Sequence, residues 1–420
     1  MKKYLAVYRY YQKLIASGEL QAGERLPSVR KCAALLSVSM TTVQNAYFEL
    51  QADGYIIAAD RSGYYVAAVQ KSIDAVPDTE PKPTVLYDLK SGDADRDSFD
   101  LTLWQRYIKS ALRQGDRLLS YSDVKGEHDL REALSDYISE KRNVLASPDR
   151  IVVGAGVHAL LQILCSLLKK ERRTVSFPDS SFAQGMALFE DYGYRVTTRN
   201  KDADVIYVSP SHMTSYGDVM PLKRRHELVR YSEANGSLVI EDDYDSDFCY
   251  THPTPSLYTL SGGNNVVYMG SFANVLIPGI RISFMVLTKE LAALLSQETE
   301  RFAQTASKTE QIALAAYLRD GHIGKQTRKI RRLYTTKTKL FYEEIRKELP
   351  ECRAVISDNA LQIKLTAPYS GNVTDFEAHG ISVQVKEYQS GLLKLAIAPS
   401  SVSVEAIPQA VQALKQVLMS

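Results

Sequence analysis

Tyr268-Met-Gly-Ser-Phe-Ala-Asn-Val-Leu-Ile-Pro-Gly-Ile-Arg-Ile-Ser-Phe284 begins inside an apolar run, Asn265-Val-Val-Tyr-Met269. A short continuous run of this kind reads as a strand buried on both faces. The pattern predicts a break at Gly270 and a resumed strand after Pro278-Gly279. Two residues here suit an anion: Ser271 through its hydroxyl and Arg281 through a bidentate guanidinium. Between them in sequence stands Asn274, and no lysine occurs from Asn265 to Leu287.

Outward from that stretch, Ile151-Val-Val-Gly154, Thr174-Val-Ser-Phe177, Val205-Ile-Tyr-Val-Ser209 and Leu238-Val-Ile-Glu241 are further apolar runs of strand length. Helix-length patterns separate most of them, which predicts an α/β domain with a mainly parallel sheet covered on both faces. From about residue 346 the runs Ala354-Val-Ile356, Leu361-Gln-Ile-Lys-Leu365 and Leu392-Leu-Lys-Leu-Ala-Ile397, with a last amphipathic helix Val404–Leu418, read as a smaller α+β lobe. Ile240-Glu-Asp-Asp-Tyr-Asp-Ser-Asp-Phe248 sets acids at the carboxyl end of a strand, where open α/β sheets bind ligands. The plainer reading of Asp242 and Asp243 is a solvated acidic turn. Gly154-Ala-Gly-Val-His-Ala159 satisfies a dinucleotide fingerprint, follows a strand and opens a helix. The same loop would cradle any phosphate through backbone N–H groups, so a nucleotide-dependent oxidoreductase stays open at this point. The basic run Lys325 to Lys339, with Ile330, Leu333 and Leu340 on one side, reads as the wet face of a domain helix.

The first 68 residues follow a different pattern. Leu5, Tyr8, Tyr11 and Ile15 recur at helical spacing up to Gly18. Ser28 can cap a second helix from Val29 to Leu36, and Ser39 a third that ends near Asp53-Gly54. Tyr55-Ile-Ile-Ala-Ala59 and Tyr64-Tyr-Val-Ala67 flank Asp60-Arg-Ser-Gly63 as a hairpin. Three short helices and a two-stranded wing make a winged helix-turn-helix, whose third helix would enter a DNA major groove. Residues 69–86 contain Pro77, Pro81 and Pro83 among charged residues and read as a linker.

Bulk properties agree with a soluble multidomain chain. Its 420 residues are 45% hydrophobic and 24% charged, with a net charge of +2 that names no partner. Four scattered cysteines without CxxC spacing argue against a metal or disulfide framework and fit a reducing cytoplasm. No apolar run approaches the roughly 20 residues that span a bilayer.

Leu26-Pro-Ser-Val-Arg30, Val38-Ser-Met-Thr-Thr-Val43, Ala46-Tyr47, Leu50, Asp53-Gly54 and Gly63 closely resemble the GntR-type DNA-binding domain. That resemblance implies that Arg25, Ser28, Arg30, Ser39, Thr41 and Thr42 face DNA, with Arg61 and Gly63 at the wing tip. Met40 departs from the arginine usual there. The opening stretch resembles the lysine segment of fold type I pyridoxal-phosphate (PLP) proteins, with Asn274 at the Schiff-base position. The acidic segment, Ser209-Pro-Ser-His212, Gly217, Met220-Pro-Leu222, Arg224-Arg225, Tyr121-Ser-Asp123, Gly126, Leu130-Arg131 and Trp104 resemble the aminotransferase-like domain of the MocR subfamily of GntR regulators. The resemblance implies cofactor contacts from Gly156, Val157 and Ser271 with Arg281 to the phosphate, from Asp242 to the ring nitrogen, from Tyr244 to the ring hydroxyl and from Phe182 to the ring face. It places Lys394 where aminotransferases carry the arginine for a substrate carboxylate. Ser215-Tyr216 also departs from the usual Pro-Thr or Pro-Ser.

The resemblance therefore implies a cytoplasmic transcription factor that binds operator half-sites on double-stranded DNA as a homodimer, each DNA-binding domain packed across the partner's large domain. Residues 87–420 would be the effector-binding and dimerisation domain, taking PLP, its amino-acid adduct or another small molecule non-covalently, without enzymatic turnover and without a metal. The alternative is an active aminotransferase with an appended DNA-binding domain.

Overall fold

The computed structural model describes residues 3–59, 62–67, 85–90, 94–95, 97–168, 172–214, 216–244, 246–248 and 254–419. The chain divides into two compact units, Met1–Lys82 and Pro83–Ser420.

In the first unit, α1 (Lys3–Ser17), α2 (Val29–Leu36) and α3 (Met40–Ala52) pack around Val7, Tyr11, Cys32, Val43, Tyr47 and Leu50. Ser28 and Ser39 cap α2 and α3, their Oγ atoms accepting the N–H of Lys31 at 3.3 Å and of Thr42 at 3.2 Å. Each such cap contributes about 1 kcal/mol. The wing is β1 (Ile56–Ala59) paired with β2 (Gly63–Val66), Ala59 opposite Gly63. Gly23 to Leu26 runs as a third edge along the wing. Gly23 N–H donates to Val66 O at 2.9 Å, Val66 N–H to Glu24 O at 2.9 Å and Leu26 N–H to Tyr64 O at 2.8 Å. Such pairing depends on a distant partner and leaves no local pattern.

The second unit begins by joining the small lobe. Leu86 N–H donates to Gly380 O at 2.7 Å, and β3 (Tyr87–Asp88) pairs in parallel with residues 381–382. The expected linker 69–86 otherwise lies outside the described residues, save Val85. The large sheet uses β4 (Ile151–Gly154), β5 (Thr174–Phe177), β6 (Arg195–Thr198), β7 (Val205–Val208), β8 (Leu238–Asp242), β9 (Val266–Ser271) and β10 (Ser283–Val286). Its order is β4-β10-β9-β8-β7-β5-β6, with β10 antiparallel to both neighbours and the other pairs parallel. Alternate residues enter two separate cores: Ile206, Val208, Val239 and Val266 on one face, Val205, Tyr207, Ile240 and Val267 on the other. Burial on both faces is why these strands read as continuous apolar runs. β9 does not break at Gly270 as expected. The ring of Phe284, across the ladder, covers that position, so a side chain there would collide with it.

The small lobe holds β11 (Arg353–Ile356), β12 (Ile363–Pro368), β13 (Ile381–Ser382), β14 (Gln384–Gln389) and β15 (Leu392–Ile397). Four of them form a sheet ordered β11-β12-β15-β14. The helix expected from Val404 is a short 3-10 turn followed by an α-helix, Ile407–Met419, with Pro408 in its first turn. The long helix His322–Glu348 carries the basic run, but its faces differ from expectation. Leu340 is exposed, whereas Lys337 is buried, its ammonium paired with Asp95 and donating to Ser400 O at 2.9 Å. Among the described residues no helix is long and apolar enough to cross a membrane.

Candidate functional site

Strands of the large sheet end at a crevice, and three of them carry the site. β4 ends at Gly154, and the chain turns through Gly156 into the helix Val157–Leu168. Gly156 has φ +89, and a Cβ on it would stand 2.7 Å from Nη2 of Arg281. The bare backbone thus lets a guanidinium lie at the amino end of a helix, two anion-attracting features at one spot. Arg281 follows the turn Pro278–Ile280 with φ of 52, a left-handed conformation that costs about 1 kcal/mol or more. Ser271 closes β9. Its Oγ accepts the N–H of Ala273 at 3.3 Å, which leaves the hydroxyl proton to donate elsewhere.

β8 ends in three acids, and all are buried, which overturns the solvated-turn reading. Glu241 accepts the N–H groups of Leu257 and Tyr258 at 2.8 Å each. Burial, and then the charge of Asp243, push its pKa up to about 7. Asp243 accepts from Arg142 at 2.8 and 3.2 Å and from the hydroxyls of Ser211 at 2.7 Å and Tyr268 at 2.8 Å. These bonds commit Asp243 to the scaffold. Asp242 instead lines the crevice and accepts from the Tyr207 hydroxyl. Burial, with the Asp242 charge, raises the Tyr207 pKa far above its ordinary value, so it remains a donor. Its ring stacks on Phe177 at 5.0 Å and lies 5.4 Å from Phe182. The Tyr244 ring lies 5.1 Å from the His212 imidazole.

Asn274 stands on a turn pinned from both sides. Phe272 packs 5.6 Å from Tyr137 and 5.7 Å from Phe284, ring centre to ring centre. Val275 and Leu276 are buried, and their N–H groups return to Phe272 O at 3.2 and 2.8 Å. The turn therefore presents Asn274 at its exposed crest.

A cavity of about 460 Å³ brings together Val157, Phe182, Asp242, Tyr244, Ser271 and Asn274, a size that suits a small cofactor. Gly156 and Arg281 meet beside Val157. The cradle over Gly156, the Ser271 hydroxyl and the Arg281 guanidinium are the donors a phosphate monoester requires, and Asp242 offers a carboxylate to a ring nitrogen. These residues fit PLP. Lys394, like Gly156 and Arg281, does not itself line the cavity, and its ammonium is held by Glu387 on the neighbouring strand at 2.7 Å. Cross-strand register, invisible in the sequence, makes that pair. Tyr207, Gln362 and Lys386 also line the cavity and were not singled out by the sequence; a tyrosine in an apolar strand and a lysine in an edge strand carry no local signal.

In the first unit Arg25, Ser28, Arg30, Ser39 and Thr41 are exposed and Thr42 half-buried. The Ser39 hydroxyl also lies 2.8 Å from that of Thr42. Met40 is exposed. The Arg25 guanidinium lies 6.0 Å from the centre of the Tyr65 ring, and Gly63 leaves space for it. Arg61 lies outside the described residues.

Residues 3–66 match the family described as bacterial regulatory proteins, gntR family, and residues 84–363 match aminotransferase class I and II. The HTH-type transcriptional regulator YdeL of Bacillus subtilis (strain 168) is 32% identical over 85% of this chain and 82% of its own length. The probable rhizopine catabolism regulatory protein MocR of Rhizobium meliloti is 27% identical over 87% of this chain and 82% of its own. Among solved structures, the α-aminoadipate aminotransferase LysN of Thermus thermophilus, complexed with N-(5′-phosphopyridoxyl)-L-leucine, superposes with a TM-score of 0.68 at 20% identity. The match covers 80% of this chain and 92% of that one, and it shows the shared fold. The aminotransferase match leaves the dinucleotide fingerprint at Gly154 without support.

Proposed function

The chain belongs to the MocR-type transcriptional regulators, a GntR-family DNA-binding domain joined to a class I and II aminotransferase domain, and on that premise we propose that the second domain senses PLP or its amino-acid adduct without a covalent bond. One observation carries this: the pinned turn that would present an amine to the cofactor presents the amide of Asn274. Gly156, Val157, Ser271 and Arg281 would hold the phosphate, Asp242 the ring nitrogen, Tyr244 the ring hydroxyl and Phe182 the ring face. Bound there, PLP supplies an aldehyde and an electron-withdrawing ring. Asn274 can donate or accept a hydrogen bond at that aldehyde but has no proton to trade at neutral pH, so the usual base is lacking and turnover is negligible.

Regulation then works by differential affinity of the effector for two arrangements of a homodimer bound to two half-sites. Exposed Leu101, Leu112, Leu119 and Tyr121 support association, because large exposed apolar groups are what subunit contact covers. We extend this to a dimer in which each DNA-binding domain packs across the partner's large domain. The free thiols of Cys32, Cys165 and Cys352 suit a reducing cytoplasm. A gel shift on the protein's own upstream region, with and without PLP, tests the proposal. The expected result is a PLP-dependent change in binding, with the PLP removable by dialysis. Amino acids converted to keto acids at enzymatic rates, by protein indifferent to that DNA, would establish the aminotransferase reading instead.

A further inference from the structure

The small lobe presents three lysines near the loop that carries Tyr216: Lys364 on β12, Lys394 on β15 and Lys386 on β14. Two are neutralised, Lys364 by Asp218 and Lys394 by Glu387. Lys386 differs from both. It stands where the β14–β15 register shifts between Val385 and Glu387, an irregularity that re-aims a side chain out of the strand's alternation. Half-buried, it lines the 460 Å³ cavity with its ammonium 6.0 Å from the Tyr216 ring centre. No described residue gives it a hydrogen bond or an ion pair. Burial pushes its pKa down, and Asp179 only opposes this from a distance.

A second observation comes from another strand. Gln362, 8% exposed, lines the same cavity just before β12. Its Oε1 is buried and meets no donor among the described residues. A buried acceptor left this way is destabilising, and a donor on a ligand would remove the cost. The cavity wall thus holds a half-buried cation and a buried acceptor, each without a hydrogen-bond or ion-pair partner among the described residues, while the phosphate-type donors cluster around Gly156 in the other lobe.

We propose that Lys386 and Gln362 recognise the effector itself: Lys386 holds a carboxylate, and Gln362 accepts a hydrogen bond from an N–H or O–H of the same molecule. The ligand class is an amino acid, free or joined to the cofactor. Lys386, rather than the neutralised Lys394, takes the carboxylate role. The proposal rests on the reading of the cavity as a PLP site.

Calorimetric titration of the full-length protein with two probes tests it: N-(5′-phosphopyridoxyl)-L-alanine, which carries the carboxylate, and pyridoxamine 5′-phosphate, which lacks it. The expected result is that K386M loses about tenfold or more in affinity for the alanine adduct and nothing for pyridoxamine phosphate, whose binding also reports an intact fold. K386R should retain most of the adduct affinity, Q362M should lose part of it, and K394M should match wild type with both probes. An unchanged ratio of the two affinities in K386M, or a loss carried by K394M, overturns the proposal alone. Failure of the wild-type protein to bind either probe overturns the PLP reading, and this inference with it.

Discussion

The two walls of the cavity are built for different tasks. The large-lobe wall has the parts of a cofactor seat: a helix end bared at Gly156, Arg281 laid against it, Ser271 closing β9 and Asp242 oriented by Tyr207. The small-lobe wall has no guanidinium facing inward among the described residues; it offers an ammonium and an amide, while its other two lysines are spent on Asp218 and Glu387. Between the walls, a pinned turn presents the amide of Asn274. The contrast teaches that holding a cofactor and acting on it are separable, because the groups for each sit on different elements.

Placing an amine on that turn should break the contrast most sharply. N274K is expected to convert PLP from a dialysable ligand to one fixed by borohydride to residue 274, read by visible absorption and peptide mass. Absence of that bond would mean the turn does not aim at the aldehyde. Next in size, R281M should weaken pyridoxamine phosphate by about 10- to 100-fold, the loss of charge-assisted hydrogen bonds worth about 1.5–3 kcal/mol. S271A removes one neutral donor and should cost about 1 kcal/mol, a several-fold loss in the same titration. An equal loss in the two variants would show that the guanidinium does not dominate the seat.

The last effect bears on stability rather than binding and concerns Glu241, beside Asp242 on β8. The folded protein raises the Glu241 pKa to about 7 through burial and Asp243. The native state therefore binds this proton more tightly than the unfolded chain, whose carboxyl titrates near its ordinary value. Its contribution to stability is full below that ordinary value and is lost as pH rises through about 7. Urea midpoints compared at pH 5 and pH 8 should fall less steeply for E241Q than for wild type.

Much of the candidate cofactor seat was legible in sequence because its parts are local. Pro278-Gly279 before Arg281, the glycines before Val157 and the acids ending β8 each sit within a few residues of the element that positions them. The caps at Ser28 and Ser39 were legible for the same reason, since a cap reaches only three residues along. The small-lobe wall was not. Lys394 meets Glu387 only through the β14–β15 register, and the shift at Lys386 moves that residue out of any period-2 pattern. Lys337 reads as a wet-face lysine until Asp95, far away in sequence, comes beside it. Gly270 reads as a break because nothing nearby reveals that Phe284 will lie over it.

The edge formed by Gly23 to Leu26 has a mechanical corollary. Val66, next to the last described residue of the first unit, is stitched on both its N–H and its C=O to the segment that carries Arg25. Tension in the chain beyond residue 67 therefore loads the bond from Ala67 N–H to Tyr55 O and then, through Val66, the main chain beside Arg25.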